Sequence, residues 1–143
     1  MKKQEFVKIR NYLGKTQKQS AQLLGISLKT VKSFEQGWRN IPAYIERQIF
    51  FLLAANEALN KKNKPCWVIK KCPVAIRQNC PAWELQAGQL CWFINGTICH
   101  GKVQENWSEK MEICRKCKVF KLMIPFMNSV VQSSGVQGSQ KNT

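Results

Sequence analysis

TQKQSAQLLGISLKTVKSFEQG, residues 16–37, decides how the first half of this chain folds. Thr16 is placed to cap a helix over residues 17–24, where Ala21 and Leu24 fall three apart on one face. Gly25 then supplies the left-handed backbone that ends a helix, and Ser27 caps a second helix over residues 28–36. Val31 and Phe34 point that second helix inward, and Gly37 closes it. Working outward, Phe6, Ile9 and Leu13 recur at helical spacing and predict a preceding helix that stops at Gly14. On the other side, residues 41–59 predict a longer helix with Pro42 in its first turn and Ile45, Ile49, Leu52 and Leu53 on one side. Residues 1–60 therefore read as a bundle of four to five helices.

The cysteines divide the chain. All seven lie from Cys66 to Cys117 and none in the first 65 residues of 143. Charge is spread more evenly: 23 Lys and Arg against 8 acidic residues give a formal charge of +15, with 13 basic residues and 4 Glu before residue 65. A polar basic stretch at residues 61–64 (KKNK) ahead of Pro65 reads as a linker, because proline and charge repulsion both resist helix continuation. Residues 65–120 read as a second domain of irregular α+β type, with short strands at 67–69 and 91–94 and a short helix at 107–114. Residues 121–143 read as a C-terminal tail, largely disordered, since its end is rich in Ser, Gly, Gln and Asn. The second domain is too small to bury much surface and needs a staple, for which reduced cysteines on a metal are the available candidates.

The start, MKKQEFVKIRNYLG, is basic but lacks an apolar stretch, so no signal peptide is expected. The longest apolar run, IFFLLAA at 49–55, falls far short of the ~20 residues that cross a bilayer. A cytoplasmic protein with no membrane partner is the expectation, and cytoplasmic thiols stay reduced. Metal or redox chemistry is then favoured over a disulfide framework.

Two helices that cross closely need a small residue at the crossing, here Ala21, and a glycine in the turn, here Gly25. Leu28, Lys29, Lys32 and Ser33 then remain outside, where they can reach a DNA groove. Lys18, Lys29, Lys32 and Arg39 cluster on or beside the two helices, as phosphate binding requires. Residues 4–59 resemble the Cro/C1-type helix-turn-helix family of repressors. That resemblance implies double-stranded DNA as partner. It implies a phosphate clamp at Gln17, backbone contacts at Ser27 and Gln36, and base reading by Leu28, Lys29 and Ser33. Leu28 departs from the family, which often has a polar residue there, and an apolar side chain suits a thymine methyl instead. The family habit also implies a homodimer, for which the apolar face of the 41–59 helix would serve unless it completes the bundle.

The cysteine spacing is C-x5-C-x7-C-x10-C-x7-C-x14-C-x2-C, through Cys66, Cys72, Cys80, Cys91, Cys99, Cys114 and Cys117. Only the last two make the two-residue knuckle of zinc ribbons. Thiolates suit zinc and an iron-sulfur cluster alike. The pairs Cys72-Pro73 and Cys80-Pro81 match the proline that follows a ligand cysteine in bacterial ferredoxins, and lean toward iron-sulfur. Haem ranks third, and the sole histidine, His100, is left out of the ligand set. Pro65-Cys66-Trp67, Cys72-Pro73, Cys80-Pro81-Ala82, Cys91-Trp92, Gly96-Thr97, Cys99 and residues 114–120 (CRKCKVF) resemble the two-CW domain, a cysteine-rich module of bacterial signalling and regulatory proteins. The resemblance implies a regulatory context without fixing a ligand. The expected function is a bacterial-type transcriptional regulator whose cysteine module holds an iron-sulfur cluster or zinc and senses redox or metal state. The alternatives are a structural metal site or docking module and, behind them, a thiol redox enzyme built on Cys114 and Cys117. Catalysis is not expected, because one histidine and no aspartate leave few acid-base partners.

Overall fold

The computed structural model describes residues 1–57 and 63–126. The chain separates into two units, Met1–Asn56 and Glu57–Thr143. It is mainly helical, with one small two-stranded sheet. Among the described residues no helix is long and apolar enough to cross a membrane.

The first unit holds four described helices: α1 (Lys3–Tyr12), α2 (Gln17–Leu24), α3 (Leu28–Gln36) and α4 (Ala43–Glu57). Their ends follow local chemistry. The Thr16 hydroxyl accepts from the Gln19 amide while the Gln19 side chain accepts from the Thr16 amide, a reciprocal capping box. Gly25 and Gly37 end α2 and α3 at φ 67° and 79°, values that other residues adopt at a cost. Phe6, Ile9, Ala21, Leu24, Val31 and Phe34 are buried, and Phe6 meets Phe34 edge to face at 5.8 Å. From α4 the core receives Ile45, Ile49, Phe50, Leu53 and Ala54. Leu52, expected on the inner face, is only half-buried; two i, i+4 rows, 45-49-53 and 50-54, carry the packing instead.

The second unit is built from short pieces. Three single-turn helices, α5 (Cys66–Ile69), α6 (Val74–Arg77) and α7 (Pro81–Glu84), each begin at a proline or directly after one. Strands β1 (Ile98–Cys99) and β2 (Lys102–Val103) form an antiparallel hairpin, followed by α8 (Trp107–Cys114) and α9 (Lys118–Met123). The strand expected at 67–69 is helical, since Pro65 as N-cap presets the first turn and the Val68 and Ile69 amides both donate to its carbonyl. The strand expected at 91–94 is a run of turns, and the sheet forms downstream around His100-Gly101, both at positive φ. The helix expected at 107–114 is present, capped by Asn106, which accepts from the Glu109 amide.

Val119, Phe120, Met123 and Ile124 are buried, so packed structure runs past residue 120 into the stretch expected to be tail. The rest of that tail, residues 127–143, and linker positions 61 and 62 lie outside the described residues. Asn63 belongs to the second unit: its carbonyl accepts from Gln89 at 2.6 Å. Gly88 sits where a Cβ would come within 2.5 Å of Pro65 and 2.7 Å of Trp67, and its carbonyl accepts from the Cys66 amide. That close approach fixes the start of α5, and with it Cys66.

Candidate functional site

In the first unit, α3 is seated by its buried face and presents the other. Lys29, Lys32 and Gln36 are exposed, Leu28 is 37% exposed, and Arg39 is exposed just beyond the helix. Ser33 is half-buried, with its hydroxyl bonded to the Lys29 carbonyl at 2.9 Å. Ser27 uses its hydroxyl to cap α3 through the Thr30 amide at 3.1 Å. Gln17 donates its side-chain amide to Glu35, which also takes the Arg10 guanidinium at 2.5 Å. Glu35 thereby ties α1, α2 and α3 together, so Gln17 has an architectural role beside the expected one. Sequence reasoning passed over Trp38, which is 80% exposed in the turn after α3 beside Arg39. A large ring next to a basic residue was its signal.

In the second unit all seven cysteines line one cavity of about 380 Å³. Cys66 comes from α5, Cys72 precedes α6, Cys80 precedes α7, Cys91 sits in a turn, Cys99 is on β1, and Cys114 and Cys117 bracket the α8–α9 junction. All seven are free thiols. Trp67, Trp83 and Trp92 also line the cavity, with Trp67 edge to face on Trp83 at 4.9 Å and Trp92 on Phe120 at 5.9 Å. The rings limit water access. His100 is at the exposed rim.

The thiols are not equivalent. The hydrogen bond between Cys66 and Cys91 holds Cys66 below the ordinary thiol value and, with burial, pushes Cys91 up. Burial raises Cys114 to about 11 and raises Cys99 and Cys72 as well. The Ile98 amide donates to the Cys80 sulfur at 3.4 Å. Among the described residues no three His, Cys, Asp or Glu side chains are grouped tightly enough to hold a single metal ion. The seven cysteine residues share the lining of one cavity.

Lys110, which the sequence reading did not single out, is fully buried in the lining of this cavity. Its ammonium donates to the Thr97 hydroxyl at 2.5 Å. Thr97 is itself buried and held by the hairpin, since the Gln104 amide donates to its carbonyl at 2.9 Å.

Comparison with family models, with curated proteins and with solved structures returned no match to this chain.

Proposed function

We propose that this chain is a DNA-binding transcriptional regulator of bacterial type whose second unit holds an iron-sulfur cluster through cysteines and senses redox state or metal supply. The observation that carries it is the convergence of seven cysteines, scattered from Cys66 to Cys117, on one cavity in a chain whose other unit exposes a basic helix. A cluster is bound at its corners, so its thiolates stand apart by the width of the inorganic core. A lone zinc ion needs four ligands in one tetrahedron. The Cys72-Pro73 and Cys80-Pro81 pairs lean toward the cluster, and the apolar ring wall and the amide donor to Cys80 suit any thiolate-bound group. Four thiolates are enough for one cluster, and its chemistry when bound is one-electron transfer.

The likeness of residues 4–59 to the Cro/C1 type supports α3 as the reading helix. Lys29 and Lys32 then neutralise phosphates or reach base edges, Leu28 lies against a thymine methyl, and Arg39 binds the backbone beyond. Binding free energy of a metal group is folding free energy in so small a module, so loss of the group would loosen the second unit and change how two reading helices are spaced on a two-part operator. A homodimer fits that scheme, as does a reducing cytoplasm.

The test uses the full chain purified without oxygen. A brown protein carrying iron and sulfide is expected; a colourless one with zinc, or with no metal, would overturn the cluster. Duplex DNA titrated by fluorescence anisotropy should bind with an affinity that falls steeply with salt. Lys29→Ala and Lys32→Ala should each reduce the salt slope by about 1. Binding indifferent to salt would sink the DNA reading.

A further inference from the structure

Lys110 poses a problem that the cysteines alone do not solve. A fully buried ammonium costs several kcal/mol unless an opposite charge meets it. Among the described residues no carboxylate lies in ion-pair range of Lys110, and its hydrogen-bond partner, the Thr97 hydroxyl, is neutral. The surroundings are thiols: its positive charge acts on Cys66, Cys91, Cys99 and Cys114, lowering each against the opposing effect of burial. The lysine also sits on α8 between Trp107 and Met111, both buried, so it cannot turn to solvent without unseating the helix. The side chain therefore carries an ammonium into a cavity whose walls offer negative charge only once thiols give up protons.

Resting on the cluster reading above, we propose that Lys110 is the built-in counter-charge of the thiolate-bound group, and a positioning residue that sets how readily that group accepts an electron. The full set of ligand thiolates makes the loaded cavity anionic, and reduction adds one more negative charge. A fixed ammonium in a water-poor pocket stabilises the more negative state more strongly, because charge interactions deepen as the local dielectric falls. Net charge and hydrogen bonding at the sulfurs are among the quantities that set cluster potentials. Thr97 holds the ammonium in place, and the 98–103 hairpin holds Thr97.

The experiment compares the wild-type full chain with Lys110→Met, Lys110→Arg and Thr97→Val after anaerobic reconstitution with iron and sulfide. Iron and sulfide per chain, the visible spectrum, and the midpoint potential in a mediated dithionite titration are read. Lys110→Met should disfavour reduction by at least tenfold, ~59 mV downward for one electron. Lys110→Arg should stay near wild type, and Thr97→Val should fall between. If Lys110→Met no longer loads, loading regained in Lys110→Arg supports the charge requirement equally. An unshifted potential in Lys110→Met, or loading lost alike in the Met and Arg variants, overturns the role of Lys110. Wild type that takes up no iron and sulfide overturns the cluster itself, a result distinct from either.

Discussion

The two units use opposite means to close a core. In Met1–Asn56, four helices pack Phe6, Ile9, Ala21, Leu24, Val31, Phe34, Ile49 and Leu53, and its inward carboxylates are internally matched, Glu35 by Arg10 and Gln17 and Glu46 by the N-terminal ammonium. In the second unit, helices of one or two turns surround a cavity lined by seven thiols and a cation with no carboxylate partner among the described residues. The first core is complete in itself. The second encloses a cavity lined by thiols, and under the proposed function its stability should depend on solution chemistry in ways the first does not.

Stripping the metal tests that contrast most severely. Chelation of the loaded chain should sharply lower the midpoint of the second unit's unfolding transition and leave that of the first, followed by far-ultraviolet circular dichroism and amide exchange. A fall of both midpoints, or of neither, would erase the contrast. Phe34→Ala should act in the opposite sense, costing the first unit about 3–5 kcal/mol by cavity formation and leaving metal content unchanged.

A change of pH sharpens the comparison on the metal-free chain. Burial raises Cys114 to about 11 from an ordinary 9.0, so the folded second unit keeps a proton that the unfolded chain gives up. Its stability is greatest below pH 9 and falls as pH climbs toward 11, by about 3 kcal/mol for a shift of two units. Cys99 works in the same direction. Thermal melts at stepped pH should show this fall in the second transition. Metal loading, which needs thiolates, should improve over the same climb. Gly88→Ala is expected to have the smallest effect, ~1–3 kcal/mol confined to the second unit, because the new methyl must displace Pro65 or the Trp67 ring. Differential scanning calorimetry would resolve it.

Legibility followed the same division. The first unit could be read because three helical turns of apolar spacing, with Thr16, Ser27, Gly14, Gly25 and Gly37 as punctuation, are local signals that agree with one another. In the second unit four-residue helices are too short for periodicity to show. Val68-Ile69 looked like strand until Pro65 imposed a turn. The hairpin turn uses His100-Gly101, which carries little of the signal that Asn-Gly would. Residue 110 lies in WSEKMEIC, where a lysine between Glu109 and Glu112 reads as a solvated charge. Only the packing of α8 against the cavity buries it. The cysteines were legible as a set, since spacing and residue type are local; that all seven face one volume is a property of the assembled unit.

Trp38 has an optical consequence. Four of the five tryptophans, Trp67, Trp83, Trp92 and Trp107, belong to the second unit, and three of them line the cysteine cavity, where a coloured prosthetic group would absorb their emission. Trp38, four-fifths exposed in the other unit, would go on fluorescing at the long wavelengths of a wet indole and respond to acrylamide or to DNA laid across the turn after α3. The chain thus carries two intrinsic reporters, one for each half, and under the proposed function a single emission spectrum would follow loading and DNA contact at once.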